Sequence, residues 1–209
     1  MTSVIARRGV CLVIAAPSGA GKSSIARALL ESEPELTLSV SVTTRDPRPG
    51  EREGIDYFYR AQAEFDALAG SGELLEWATV FGRSYGTPRA PVERALGAGR
   101  DVAFDIDWQG YRNLRAALPG DVVGVFILPP SLADLEARLR TRGGDDASEI
   151  DRRMQAARAE IAHWAEFDHV VVNASLTEAV EAVRSVLHAA RLVTARQTGA
   201  AAFVAGLMG

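Results

Sequence analysis

The sequence lacks the residues that several common kinds of site require. Among 209 residues there is one cysteine, Cys11, which excludes an intrachain disulfide and a cysteine-based zinc site. The three histidines have no metal-binding spacing, and no apolar run reaches the roughly 18 residues of a membrane span. The net charge of −4 provides no broad basic surface. We therefore expect neither a nucleic-acid partner nor a membrane contact, and any arginine site should be local and suit a small anion.

The chain alternates apolar segments with amphipathic ones. Its length and its 47% hydrophobic residues suit one α/β domain. Strands are predicted at 9–17, 36–44, 101–107, 121–130 and 169–174, helices lie between most of them, and 82–88 is predicted as a turn. This pattern favours a parallel sheet covered by helices on both faces, with ligands bound at the carboxyl ends of its strands.

The first predicted strand runs directly into a glycine-rich loop, APSGAGKSS, and a helix follows. This is the context of a phosphate-binding loop, G-x-x-x-x-G-K-[ST], with Ala16 in place of the first glycine. Glycines 19 and 21 allow the backbone N–H groups to point at phosphate oxygens, Lys22 would reach the β- and γ-phosphates, and the Ser23 hydroxyl would ligate Mg²⁺. The predicted ATP-binding loop comprises Ala16, Pro17, Ser18, Gly19, Ala20, Gly21, Lys22, Ser23 and Ser24.

Two aspartates end the predicted strand at 101–107. Asp105 and Asp107 are spaced by two, so a strand would project both side chains to the same side. A carboxylate near Ser23 could hold a water molecule of the Mg²⁺ shell, and we expect Asp105 to do so.

Six further segments carry a resemblance to a known family. They are SVSVTTRDPRPGEREGIDYF, LLEWATVFGRSYGTP, FDIDWQG, FILPPS, RLRTRG and VVVNAS, and in order and spacing they resemble guanylate kinase, the bacterial branch most closely, over about 9–194. The resemblance implies transfer of a phosphoryl group from ATP to GMP or dGMP with Mg²⁺.

The resemblance also implies a P-loop NTPase-type architecture in a single domain. Its core would comprise 1–37, 91–139 and 156–194, with a small β-rich GMP-binding insertion at about 38–90, a helical lid at about 140–155 and a tail at 195–209. A cytoplasmic location is expected, because ATP is required and the apolar segment after Arg8 leads into the loop as a buried strand rather than as a signal peptide.

The family pattern assigns the acceptor site residue by residue. Arg45 and Arg48 are spaced to converge on one anion and would clamp the GMP phosphate. Glu76 would accept hydrogen bonds from guanine N1–H and the 2-amino group, and Thr87 could donate to O6. The implied GMP-binding residues are Ser41, Arg45, Arg48, Tyr57, Glu76, Tyr85, Thr87 and Asp107.

The donor side is assigned in the same way. Arg138 and Arg142 are four residues apart on one helical face, Arg153 follows a polar hinge, and lid arginines of the family neutralise the transferring phosphoryl group. Asn173 matches an asparagine near the ATP adenine, although Ala174 replaces the acidic residue that often follows it. The residues predicted to be catalytic are Lys22, Arg45, Arg142 and Arg153, and Arg138 and Asn173 are predicted to bind ATP.

Two other functions fit parts of the pattern. A kinase on the same scaffold could phosphorylate ribose 1,5-bisphosphate, although a sugar phosphate needs no reader of a base edge such as Glu76. A non-catalytic guanylate-kinase-like module would bind phosphorylated partners, but such modules typically lose the lysine and arginines that Lys22, Arg142 and Arg153 represent here. Both a monomer and a homo-oligomer remain open, and the apolar residues of the tail are the only hint of self-association.

Overall fold

A computed structural model describes residues 5–80, 82–141 and 147–209. The strands are β1 (Cys11–Ala15), β2 (Leu36–Leu38), β3 (Val42–Thr43), β4 (Phe58–Tyr59), β5 (Leu74–Val80), β6 (Arg83–Pro88), β7 (Asp101–Phe104), β8 (Val122–Leu128) and β9 (His169–Val172). The helices are α1 (Lys22–Ser32), α2 (Gln62–Gly70), α3 (Arg89–Gly97), α4 (Trp108–Ala117), α5 (Leu132–Thr141), α6 (Ala147–Ile161), α7 (Leu176–Arg191) and α8 (Ala200–Met208).

A five-stranded parallel sheet forms the centre of the fold, in the order β2-β7-β1-β8-β9. All five residues of β1 are buried, as expected of a strand with neighbours on both sides and helices on both faces. One face packs on α3 and α4, and the other packs on α1 and α7. The predicted parallel sheet flanked by helices is confirmed.

A second, four-stranded sheet lies between residues 42 and 88, in the order β4-β3-β6-β5. Strands β5 and β6 form an antiparallel hairpin, and β3 joins β6 antiparallel and β4 parallel. Val42, Phe65 and Leu74 form its small core. The chain enters the second sheet after β2 and leaves it where β6 ends and α3 begins. Both connections are short.

Three local predictions are wrong. The strand predicted at 36–44 is two strands in different sheets, β2 and β3, because alternation along a chain does not reveal a change of partner strand. The turn predicted at 82–88 is strand β6, and only Gly82, at φ +74°, has turn geometry there. The strand predicted at 101–107 ends at Phe104, because Asp107 begins helix α4 as its N-cap.

The start of the C-terminal segment is attached to the residues that precede β1. The guanidinium of Arg196 is buried and its Nη1 donates to the Gly9 carbonyl at 3.1 Å, and the Gly199 N–H donates to the Ala6 carbonyl at 2.8 Å. Beyond that point α8 has no buried residue. Within the described ranges no helix is both long and apolar enough to span a bilayer.

Because the central strands are parallel, the segments that follow them meet at one edge of the sheet. The glycine-rich loop follows β1, the aspartates at 105 and 107 follow β7, and Asn173 follows β9. The residues predicted to bind nucleotide thus come together from distant parts of the chain.

Candidate active site

The glycine-rich loop joins β1 to α1 with the backbone geometry of an anion cradle. Gly19 and Gly21 have φ values of +92° and +100°, which L side chains rarely adopt. A Cβ on Gly21 would also lie 2.2 Å from Asn173 Nδ2, so glycine is required there for a second reason. Ala16 packs against the apolar core behind the loop, so its methyl group is accommodated. The loop leads directly into the N-terminus of α1, which has no side-chain cap and where an anion is favoured.

A cavity of about 500 Å³ lies between this loop, α5 and the end of β9. Asn173 is buried, and its Nδ2 donates to the Ala20 carbonyl at 2.7 Å. Arg138 Nη2 donates to the Asn173 carbonyl at 3.0 Å. The structure therefore brings both predicted ATP-binding side chains beside the loop, together with Ala174 in the same wall.

A second cavity, of about 310 Å³, opens on the other side of the loop. Lys22 Nζ forms an ion pair there with Asp105 Oδ1, and Ser23 is exposed into the same space. A serine hydroxyl with a carboxylate suits Mg²⁺, which takes few protein ligands and fills its shell with phosphate oxygens and water. Within 5–80, 82–141 and 147–209, no group of three or more His, Cys, Asp or Glu side chains could hold a metal ion.

A third cavity, of about 420 Å³, lies between the two sheets. Four of the residues predicted to bind GMP from the second sheet and its approach line it, and Asp107 lines it from the central sheet; the five are Ser41, Tyr57, Glu76, Tyr85 and Asp107. This cavity and the previous one share three carboxylates in their walls, Asp105, Asp107 and Glu160. The two spaces are thus adjacent.

Glu76, which lines the third cavity, belongs to a buried carboxylate–hydroxyl pair. Glu76 on β5 and Thr87 on β6 are direct cross-strand partners, and the Thr87 hydroxyl donates to Glu76 Oε1 at 2.5 Å. Both residues are buried. Burial raises the pKa of Glu76, the Thr87 hydrogen bond partly opposes this, and the charge of Asp107 adds to the increase. Because the Thr87 proton is directed at Glu76, its donation to a guanine O6 stays a prediction.

Asp107 has two duties at this point of the fold. Its Oδ1 accepts from the Gly110 N–H at 2.8 Å as the N-cap of α4, while the same side chain lines both of the adjacent cavities. Capping fixes the rotamer of the carboxylate, so its second oxygen is presented in a defined direction.

Arg45 and Arg48 are arranged differently from one another. Arg45 Nη2 lies 2.8 Å and 2.9 Å from the two oxygens of Glu51, and its guanidinium stands 5.2 Å from the centre of the Tyr57 ring. The Arg48 side chain is exposed, and its backbone N–H donates to Glu51 Oε2 at 2.8 Å. Neither guanidinium is among the residues that line the third cavity.

Glu51 and Tyr59 are site residues that the sequence reasoning missed. The Tyr59 hydroxyl donates to Glu51 Oε2 at 2.8 Å. The hydrogen bonds from Arg45, and after it the Arg48 N–H, lower the pKa of Glu51 to about 2, so this group is a carboxylate at neutral pH. Its position six residues after Arg45 in the same loop was the signal that could have identified it.

The residues predicted in the lid are only partly described. Arg142 lies outside the described residues. Arg153 is on α6, where its Nε donates to Glu149 Oε1 at 3.2 Å, one helical turn away. Glu160, later on the same helix, was not predicted, yet it lines both cavities that flank Asp107.

Comparison with known proteins gives a consistent result. The family model described as guanylate kinase matches residues 8–190. A guanylate kinase of Gluconobacter oxydans is 66% identical over 191 residues, which cover 91% of this chain and 92% of that protein. A guanylate kinase of Rhizobium meliloti is 54% identical over 204 residues, which cover 98% of this chain and 93% of that protein. A crystal structure of guanylate kinase from Anaplasma phagocytophilum superposes with a TM-score of 0.75 at 36% identity, covering 94% of this chain and 93% of that one.

Proposed function

This chain belongs to the guanylate kinase family and is an enzyme that phosphorylates GMP, and from that premise we propose that it transfers the γ-phosphoryl group of ATP, with Mg²⁺, to GMP or dGMP. The products are ADP and GDP or dGDP. The reaction would serve purine nucleotide metabolism and the recycling of GMP in the cytoplasm.

One observation carries the proposal. The cavity beside the phosphate-binding loop and the cavity that holds Glu76 share a wall formed by Asp105, Asp107 and Glu160. A donor phosphate on the loop and an acceptor phosphate in the neighbouring space would therefore lie close to one another. Phosphoryl transfer depends mainly on such positioning and on charge stabilisation.

On the donor side, Lys22 would exchange its ion-pair partner when ATP binds. Lys22 is paired with Asp105 in this structure. Phosphate oxygens carry more charge than one carboxylate, so ATP would draw the Lys22 ammonium to the β- and γ-phosphates. That move releases Asp105, which with the Ser23 hydroxyl would hold the ion. When bound, Mg²⁺ would neutralise the negative charge on the β- and γ-phosphate oxygens.

The base of the acceptor would be read by the buried carboxylates. Guanine presents two donors, N1–H and the 2-amino group, to Glu76, and Asp107 stands across the same cavity. Adenine would place an unprotonated ring nitrogen against a buried carboxylate, and that carboxylate would then lack a hydrogen-bond donor. A site built on hydrogen bonds can reject such an analogue by about 10⁴-fold.

The acceptor phosphate would be clamped from the second sheet. Arg45 is held by Glu51 and by the Tyr57 ring, so its guanidinium is ordered before GMP arrives. The exposed side chain of Arg48 would join it, with hydroxyls from Ser41, Tyr57 and Tyr85. On the donor side, Arg138, Arg142 and Arg153 would neutralise the charge of the transferring group.

The test is an ADP-release assay with ATP and Mg²⁺ against GMP, dGMP, AMP, CMP, UMP and ribose 1,5-bisphosphate. We expect turnover with GMP and dGMP alone, and its loss when EDTA removes the divalent ion. Lys22→Ala should abolish turnover without a change in melting temperature. Turnover with ribose 1,5-bisphosphate would contradict the reading of Glu76, and full kcat in Lys22→Ala would contradict the loop assignment.

A further inference from the structure

Two of the carboxylates that line both adjacent cavities come from different helices. Asp107 is the N-cap of α4, and Glu160 lies one residue before the end of α6. Each lines the cavity beside the phosphate-binding loop and also the cavity between the two sheets. The position of α6 relative to α4 therefore determines the shape of the space in which the two phosphates would meet.

The residues next to these two carboxylates contact one another directly. Trp108 follows Asp107 as the first residue of α4, and the His163 N–H donates to the Glu160 carbonyl at 3.1 Å just beyond the end of α6. The rings of Trp108 and His163 are stacked, with their centres 3.6 Å apart and their planes 10° from parallel. Such ring pairs stabilise an arrangement beyond the area that they bury. The stack thus joins the end of α6 to the start of α4.

A carboxylate on the same segment as His163 holds both sides of the stack. Arg112 of α4 donates from Nε and Nη2 to the two oxygens of Glu166 at 2.5 Å and 2.6 Å, and its guanidinium carbon stands 4.6 Å from the centre of the Trp108 ring. His163 Nδ1 lies 2.6 Å from Glu166 Oε1. The hydrogen bonds from Arg112, and after them the one from His163, lower the pKa of Glu166 to about 2. A carboxylate only accepts, so His163 Nδ1 carries the proton, and the orientation of its ring is fixed.

The residues that follow are also held along α4. Phe167 stacks on Tyr111 with ring centres 4.2 Å apart, and Asp168 accepts from the Tyr111 hydroxyl at 3.0 Å. The stack of Trp108 and His163 is the contact of this segment that lies next in sequence to both wall carboxylates. Helix α6 runs from this anchored segment towards Arg153, which lies seven residues before Glu160, about 10 Å along the helix at 1.5 Å per residue.

We propose that Trp108 and His163 are positioning residues for phosphoryl transfer, whose stack holds the Glu160 end of α6 against the Asp107 end of α4 and so sets the wall that the donor and acceptor sites share. This inference rests on the proposed places of ATP and GMP in the two cavities. Neither ring is among the described residues that line those cavities, so both would act through the carboxylates beside them. The phosphate-binding loop is held by β1 and α1 instead, so ATP binding should not depend on the stack.

A double-mutant cycle tests whether the two rings act as one unit. We expect Trp108→Leu and His163→Leu each to lower kcat about tenfold, since a misplacement of about 1 Å costs up to about 100-fold. The double variant should also lose about tenfold rather than about 100-fold, because either change alone already removes the stack. KM for ATP should stay within about twofold in all three. Trp164→Leu, at a half-exposed tryptophan of the same segment, is the matched control and should keep the wild-type kcat.

His163→Phe separates the ring from its hydrogen bond. It keeps a flat ring that can stack on Trp108 and loses the contact with Glu166, so we expect kcat within about threefold of the wild type. Wild-type kcat in both single Leu variants, independent losses that multiply in the double variant, or an equal loss in Trp164→Leu would each overturn the proposal. So would equal losses in His163→Phe and His163→Leu, a comparison that decides the matter even if Trp108→Leu fails to fold.

A measurement without turnover tests the stack itself. With Trp77→Phe and Trp164→Phe, Trp108 is the only tryptophan of the chain. In that background, acrylamide should quench its fluorescence more strongly after His163→Leu and equally after His163→Phe. Equal quenching in the background and in His163→Leu would show that the rings are not in contact in solution, which would also overturn the proposal. Turnover of the wild type with GMP in the same kinetic assay tests the proposed function separately.

Discussion

Glu51 is one side chain that organises three groups of the acceptor site. It receives two hydrogen bonds from Arg45, one from the Arg48 N–H and one from the Tyr59 hydroxyl. Desolvation, and after it the hydrogen bond to Glu51, raises the pKa of Tyr59 to about 12. Ordering the loop between β3 and β4 costs conformational entropy, and the contacts of this carboxylate offset that cost.

Removing the charge of Glu51 should weaken GMP binding. In Glu51→Gln the charge-assisted hydrogen bonds from Arg45 Nη2 to the two carboxylate oxygens are lost, and the arginine must be ordered by GMP itself at the expense of binding free energy. We expect KM for GMP to rise about tenfold while KM for ATP stays unchanged, measured by steady-state kinetics. The nearby exposed Glu64→Gln is the control. An unchanged KM for GMP would show that Arg45 is ordered without Glu51.

Glu76 should determine the choice of base. In Glu76→Gln the amide presents one acceptor and one donor, so it cannot accept from both guanine donors in the way a carboxylate does. We expect the ratio of kcat/KM for GMP over AMP to fall about 10- to 100-fold, mostly through loss of GMP activity. Glu73→Gln, an exposed neighbour just before β5, should keep the wild-type ratio. If the ratio of Glu76→Gln also stayed at the wild-type value, another group would read the base.

The residues that we propose to bind nucleotide were recognised in the sequence, and the residues that position them were not. Lys22, Glu76 and Asp107 occur in motifs whose charges and hydrogen-bonding groups complement those of a nucleotide. Glu51 binds Arg45 and Tyr59, and Glu160 lines the same two cavities as Asp107 although it is far away in the sequence. Only the folded chain shows those placements.

At the scale of elements, the central sheet was predictable because its strands are short apolar runs between helices. The second sheet was less so. Strand β6 reads RSYGTP, with glycine and proline inside it, which is the composition of a turn. It is a strand because β5 and β3 pair with it on both sides. Tyr85 and Thr87 lie opposite residues of those two strands, and these partners cannot be identified from the local sequence.

Gly21 tests the junction of β1, its loop and α1. In Gly21→Ala the backbone keeps a φ of +100° with a Cβ, and that atom meets Asn173 Nδ2 at 2.2 Å. The loop or Asn173 must shift, so we expect kcat/KM for ATP to fall at least 100-fold and the melting temperature to drop. Gly97→Ala at the end of α3, where a Cβ meets nothing within 4 Å, is the control. It should be neutral or stabilising by up to about 1 kcal/mol.

The Gly21 prediction has a definite contrary result. If Gly21→Ala kept wild-type kcat/KM for ATP, the loop would not require its left-handed glycine to bind phosphate, and the cradle geometry would be incidental.

At the scale of the whole molecule, an ionic network joins two helices and a strand at the end of the central sheet opposite the candidate site. Buried Glu33, at the end of α1, accepts from Arg184, His188 and Arg191 of α7, and Arg191 also binds buried Asp101 of β7. Helices and strand from three parts of the sequence are thus joined at the amino ends of the sheet, away from the nucleotide cavities.

This network should make stability depend on pH in the acid range. Burial alone would raise the pKa of Glu33, but hydrogen bonds from Arg191, His188 and Arg184 outweigh it and lower the pKa below 4.5. A lowered pKa stabilises the fold above the unfolded value and loses that effect as pH falls through the folded value. We expect the melting temperature to fall more steeply below about pH 4.5 in the wild type than in Glu33→Gln. Glu31→Gln, exposed on the same helix, should follow the wild type, and parallel curves for wild type and Glu33→Gln would contradict the assignment.

The two sheets are expected to approach one another when both substrates bind. The third cavity takes Glu76, Tyr57 and Tyr85 from the second sheet but Asp107 from the central one, so GMP would contact both bodies at once. Contacts made on both sides of a hinge favour the closed arrangement, and closure also removes water that would otherwise compete as acceptor. Solution scattering should therefore give a smaller radius of gyration with GMP and a non-hydrolysable ATP analogue than without ligand. AMP in place of GMP should leave the dimensions at the analogue-only value. Identical scattering in all states would mean that the cavity is already in its working shape, and that selectivity comes from the fixed pair of Glu76 and Thr87 alone.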